Sequence, residues 1–357
     1  MNEYYIQYHS RTLASLQNIK EQQSAERSIY NFIFPTTSTK IALSDGVKKV
    51  DDINLHIGLN IIVNLGASSL EEARGLSKDY AEMLLNLISF ITLASCDSAE
   101  LISVMDVTNK DEFPARFNIR SLSQEKLLES LVVIDDSHLG AVFQAYTNSG
   151  YLYPDRVAMA LMWFRKGLLE RQTIDEFLCY WFAIELISCV LRRKLRSKTR
   201  NPGQWDGIED IFVSKVKFND WEKIRKARQD IVHGKRRLNN QFMAELHTYV
   251  KPMMRSLVFA VGDVLGIDQE TVETICSKTA KKRAFGTKIV LEGTLKDQSG
   301  DFEIITKDYP SVDVQSEGLQ YSLDNKGKVQ IKGSPTYTFH LATGVVFLAH
   351  GFEIWKE

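Results

Sequence analysis

Residues 219–234 read NDWEKIRKARQDIVHG. Asn219, with Glu222 three positions on, has the form of a capping box: the Asn side chain accepts from an early free N–H and the carboxylate reaches back to the cap's own N–H. Gly234 offers the left-handed residue on which helices end without a Cβ penalty. Residues 219–233 are therefore expected to form one helix. On a helical wheel Trp221, Ile224, Ala227, Ile231 and Val232 share one arc, and Arg228 falls inside it. A guanidinium aimed into an apolar seam is costly unless it is paired or faces a wet cleft. His233 lies about 140° further round, on the last turn.

The neighbouring helices are read from the same periodicity. Residues 175–195 are the most apolar stretch, with Phe177, Trp181, Ile184, Ile187 and Leu191, and so should be central. Glu185 sits in the richest arc of that helix, between Trp181 and Cys189. A lone carboxylate there takes up a proton or finds a cation. Arg228 is the matching orphan, and the two are expected to pair across adjacent helices. Pro154 suits the first turn of a helix running to residue 170, whose Met159, Leu161, Met162, Trp163, Phe164 and Leu168 read as core. A short helix over 205–214, a long one over 238–265 with Pro252 inside it, and one from Asp268 to about 282 complete a bundle.

Arg228 and His233, with four residues between them in the string RKARQDIVHG, resemble the Arg, four-to-six residues, His signature of HEPN (higher eukaryotes and prokaryotes nucleotide-binding) ribonucleases. The resemblance covers roughly residues 145–270. It implies a helical bundle that pairs as a homodimer. It also implies cutting of RNA without metal or cofactor, leaving a 2′,3′-cyclic phosphate and a 5′-OH, in toxin-like or antiviral RNA restriction. Imidazole exchanges protons near neutral pH, which suits His233 to serve the 2′-OH or the leaving oxygen. Arg228 stays charged and presents a planar fork to a phosphorane. Gln229 lies four residues before His233, placed to orient its ring or to contact phosphate. Asp230, three before it, is the carboxylate that would favour imidazolium. Relatives often carry Asn, Asp or His just after the Arg, and Gln229 departs from that.

Formal net charge is −1, yet residues 190–240 hold 15 Lys/Arg against 6 Asp/Glu. Arg225, Lys226, Lys235, Arg236 and Arg237 flank the Arg–His pair and are the expected RNA contacts. Cys96, Cys179, Cys189 and Cys276 form no Cys-x-x-Cys pair, so neither a zinc ribbon nor a disulfide framework is indicated, which fits a reducing cytoplasm. The start MNEYYIQYHSR has no apolar run behind a basic segment, and no stretch is long and apolar enough for a membrane helix.

The flanks differ in pattern. Residues 1–35 read as polar and mixed, 40–65 as strands, and Ser68 with Glu71 as a capping box opening a helix to about 94 whose apolar positions include Leu76. Residues 106–122 read as connection or short strands, and 123–147 as one or two helices. From 287 the period becomes two, with a hairpin turn at Asp324-Asn-Lys-Gly327. The expected layout is α+β: an N-terminal α+β domain (1–148), a helical HEPN-like domain (149–284) and a C-terminal antiparallel β-domain (285–357). The last serves as a partner-binding edge or a structural cap, and the flanks would dock a trigger or inhibitor protein. The alternative function is a non-catalytic scaffold that dimerises or binds a nucleotide or partner. No Gly-rich phosphate loop, His/Asp/Glu metal cluster or Ser-nucleophile motif supports a metabolic enzyme.

Overall fold

The computed structural model describes residues 1–16, 30–33, 39–50, 53–108, 115–120, 131–148, 153–196, 202–282, 290–293, 311–315, 320–323, 329–332, 336–342 and 345–350. The fold is mixed α+β. Seven strands form one antiparallel sheet: β1 (Asn2–Ser10), β3 (Tyr30–Ile33), β4 (Lys40–Val50), β5 (Ile53–Ala67), β6 (Glu100–Asp106), β7 (Ala115–Arg120) and β9 (Val290–Gly293), in the order β3-β4-β5-β1-β6-β7-β9, and two short strands, β2 (Ala14–Ser15) and β8 (Val132–Val133), pair in parallel. Residues 1–35, read as polar and mixed, thus supply the central strand of the larger sheet. Tyr4, Ile6 and Tyr8 alternate along β1 and are buried, but Gln7 and His9 on its other face are buried too, which hides the strand from a hydropathy reading. Gly58 on β5 has φ +140°, and a Cβ there would lie 2.1 Å from the Ser10 carbonyl oxygen, so β5 can run this close to β1 only with glycine.

Helix α1 (Leu70–Thr92) lies on the Tyr8 side of the sheet. The Tyr8 hydroxyl bonds Ser77 Oγ at 2.8 Å, and burial pushes its pKa up to about 12. The helix starts one residue later than expected. Ser69 is the cap and accepts from Glu72 N–H, while the Glu72 carboxylate accepts from Ser68 N–H at 2.7 Å. Both Ser-x-x-Glu registers exist in SSLEE, and the strand reaching Ala67 leaves Ser69 as the extended residue. Leu76, placed in the apolar stripe, is exposed.

The remaining helices are α2 (Asp136–Thr147), α3 (Pro154–Leu169), α4 (Thr173–Arg196), α5 (Asp206–Asp210), a π-helical turn (Ile211–Val216), α6 (Trp221–Val232), α7 (Asn240–Leu265) and α8 (Gln269–Ser277). Helix α4 is central as expected, packed on α3 and α7. Pro154 does sit in the first turn of α3, but Met159 and Met162 face solvent; the buried face is Val157, Leu161, Phe164 and Leu168. Asp268 caps α8, which stops at Ser277, short of 282: the Lys281 backbone pairs instead with Leu93 and Ser95 after α1. One cluster of buried apolar side chains runs from Tyr4 through α1, α3, α4 and α7 to Cys276. Strands β10 (Ser311–Gln315), β13 (Thr336–Ala342) and β14 (Val345–His350) form a second antiparallel sheet, and β11 (Gln320–Leu323) pairs with β12 (Val329–Lys332). The hairpin turn expected between those two lies outside the described residues.

Candidate functional site

The expected capping box at Asn219 does not form. Asp220 precedes α6 with ψ 35° and makes no side-chain cap; its carboxylate takes the Lys223 ammonium at 3.0 Å, and Glu222 takes Arg225 at 2.6 Å. The start is set by Trp221, which is 1% exposed and lies in an aromatic cluster. Burying an indole outweighs a cap worth about 1 kcal/mol. The C-terminus behaves as read. Gly234 has φ +60°, its N–H donates to Ile231 O at 3.2 Å, and Lys235 N–H reaches back to Asp230 O at 2.9 Å. That pair of bonds is a Schellman motif, and it holds His233 at the cap position. The imidazole is exposed, with no side-chain partner among the described residues.

Arg228 pairs with Glu185 of α4 as expected: Nη2 lies 3.3 Å from Oε1. Glu185 was expected to be buried, but the two side chains are 27% and 34% exposed, because α4 and α6 leave the outer part of this seam open to solvent. Arg228 Cζ lies 5.9 Å from the Trp181 ring centroid, and its Nε is buried without an acceptor. Of five N–H donors, one makes a long charge-assisted contact, so the guanidinium keeps capacity for a second anion. The burying arc is narrower than the wheel implied: Trp221, Ile224 and Ala227 are buried, Ile231 partly, and Val232 is 51% exposed.

Beneath the Arg lies a bed of rings. Trp181 and Trp221 stack at 5.7 Å and 15°, Trp205 tilts against both at 5.5 and 5.8 Å, and Phe212 meets Trp221 at 4.9 Å. Arg225 Cζ is 5.9 Å from the Trp205 ring centroid. This cluster was not foreseen as part of the site. Its signal was present, since Trp181 and Trp221 share helices with Glu185 and Arg228, and Trp205 sits in the loop between them.

The other expected residues fall into two groups. Gln229, Lys226, Lys235 and Arg237 are exposed and Asp230 is half-buried, none with a side-chain partner among the described residues. Arg236 is engaged, bonded to Glu245 at 2.6 Å and lying 4.3 Å from the Phe242 ring centroid. Arg228 leans on α4, while the helical repeat sets His233 about 140° round α6 from it. A single chain therefore does not converge them. Among the described residues no group of three His, Cys, Asp or Glu side chains is arranged to hold a metal ion, and no helix is long and apolar enough to cross a membrane. Comparison of the chain with protein-family models, with curated proteins and with solved structures returned no match.

Proposed function

We propose that the chain is a metal-independent endoribonuclease of the HEPN type, built on a helical domain over residues 149–284 and acting as a homodimer on RNA. The observation that carries this reading is Arg228: a part-exposed guanidinium, held by Glu185 over Trp181 with donors to spare, on the helix that ends at an open His233. In the reaction the RNA 2′-OH attacks the adjacent phosphorus. A 2′-O–P bond forms, the P–5′-O bond breaks, the hydroxyl proton leaves to a base and the 5′-oxygen gains one. His233 moves a proton, and Arg228 spreads its fork over the two equatorial oxygens as charge builds. Divergence of the two groups on one helix is answered by a two-fold pair of chains that sets Arg228 of one copy beside His233 of the other. The exposed Lys226, Lys235 and Arg237 supply phosphate contacts. The cysteines among the described residues are free, in keeping with a cytoplasmic setting, and the flanking regions serve to dock a trigger or inhibitor protein.

Mixed single-stranded RNA incubated with the full chain in EDTA tests this. The wild type should cut, and His233→Ala should cut at least about 100-fold more slowly with unchanged melting. Undiminished cutting by His233→Ala ends the mechanism, and retained cutting by a clean monomer ends the composite site. The second reading, a non-catalytic scaffold, is favoured by one observation: the Arg228–Glu185 pair is by itself a structural reason for that arginine.

A further inference from the structure

Three features of the molecule remain unused by the proposed chemistry. The ion pair of Arg165 with Glu82 joins α3 to α1 and is closed to solvent on the Arg side. His56, buried against Asp45 at 3.4 Å, belongs to the sheet core. The tryptophan bed beside Arg228 is different, because one of its residues, Trp205, is not fully buried.

Trp181 and Trp221 are 3% and 1% exposed, whereas Trp205 is only partly buried. Trp205 is nonetheless held on several sides, by the two indoles at 5.5 and 5.8 Å and by Arg225 Cζ at 5.9 Å. A flat ring that is fixed in place and partly open gives a stacking surface with little entropy left to lose. Its position against Arg225 of α6 matters as much. At about 100° per residue, the side chains passed in going round the helix from Arg228 toward His233 include Arg225 and Gln229, with Lys226 just beyond His233. Arg225, the residue touching Trp205, therefore faces that side of the helix one turn N-terminal to Arg228, about 4.5 Å along the axis. The ring marks the side of α6 along which a strand would run. Glu222 competes for Arg225 at 2.6 Å, but its side chain is 71% exposed and such a pair yields readily to a phosphate.

We infer that Trp205, backed by Arg225, is a base-stacking subsite that seats one unpaired nucleotide of single-stranded RNA next to the phosphate held at Arg228. This rests on the ribonuclease reading and adds to it the residue that seats a base, which favours unpaired over helical RNA. Bases in a duplex show no free face to a side chain, whereas a splayed base stacks on an indole whatever its identity. The subsite is thus tolerant of sequence, and Trp205 is a positioning residue.

The test uses the full chain and a fluorescein-labelled 2′-O-methyl RNA 12-mer of mixed sequence, which cannot be cut, with binding read by anisotropy. Trp205→Leu should weaken binding by about tenfold, the order expected for one stacked base, and Trp205→Tyr should stay within about threefold of wild type. A 12-mer carrying abasic sites throughout should bind wild type and Trp205→Leu alike. A hairpin with no loop overhang should be bound no better than the abasic strand. If Trp205→Leu fails to fold, the comparison of base-bearing and abasic strands on wild type still decides the matter. Equal binding of those two strands, or no binding of either, overturns the subsite and leaves Trp205 as packing. The outcome is separate from that of cleavage. Base-dependent binding without cutting removes the nuclease and keeps the subsite. Cutting without base dependence does the reverse.

Discussion

Arg165 with Glu82 and Arg228 with Glu185 each join two helices, and the two pairs do different work. Arg165 of α3 meets Glu82 of α1 with its side chain 7% exposed, and the second Glu82 oxygen accepts from Ala99 N–H at 2.8 Å. Arg228 of α6 meets Glu185 of α4 at 3.3 Å with both side chains about a third open to water. The chemistry is the same and burial decides the outcome. In the first pair the arginine has been withdrawn from solvent while Glu82 keeps 24% of its side chain exposed, and the pair holds α3 against the sheet-covering helix. The second remains wetted and loosely bonded, so the guanidinium can be shared with an incoming anion at little cost.

The largest effect should come from breaking the closed pair. Arg165→Ala leaves the Glu82 carboxylate with the Ala99 N–H and its exposed edge as compensation, and the expected loss is about 1–3 kcal/mol of folding stability. Urea unfolding followed by circular dichroism reads it. Replacing both partners together, as Arg165→Met with Glu82→Gln, should recover a good part of that loss, because no bare charge then stays buried. A cost under about 1 kcal/mol for Arg165→Ala would show that water reaches the pair and that the contrast drawn above is wrong.

How far the sequence disclosed these features follows from what each depends on. Helical periodicity and Gly234 located α6, α7 and α4, and the orphan logic of one acid and one base inside apolar arcs paired Glu185 with Arg228. Those are short-range facts along a helix. The cap at Asn219 was misread because a local rule yielded to burial of Trp221, a tertiary event. Strand β1 was missed because its Gln7 and His9 are buried by neighbours distant in the chain. The tryptophan bed needed α4, the loop after it and α6 to be folded together before three rings became one surface. Arg236, expected to face RNA, is held by Glu245 of α7, which no reading of residues 219–237 alone contains.

A smaller effect distinguishes the open pair from the closed one. A double-mutant cycle with Arg228→Ala and Glu185→Ala, read as urea stability, should give a coupling of about 0.2–1 kcal/mol. The same cycle on Arg165 and Glu82 should exceed it several-fold. Coupling above about 2 kcal/mol at Arg228 would mean that the guanidinium is already committed to the fold, and the scaffold reading would then gain ground over catalysis.

The third pair, Arg236 with Glu245, should show the smallest effect, and it is the one that pH can switch. The hydrogen bond from Arg236 holds the Glu245 carboxyl below its ordinary 4.5, with help from Tyr249, whose hydroxyl donates to the other oxygen at 3.0 Å. The native state therefore binds fewer protons here than the unfolded chain does. The stability this contributes is fully present above about pH 4.5 and is lost as pH falls through the depressed value. Glu245→Gln, which keeps an acceptor for Tyr249, should cost under about 1 kcal/mol at pH 7. The gap to wild type should close as pH falls through the depressed value and the wild-type carboxylate is protonated. A gap that stays constant with pH would assign the cost to side-chain packing against Phe242 and Tyr249. Arg236 would then be free to join Lys235 and Arg237 as an RNA contact without losing an ionic partner.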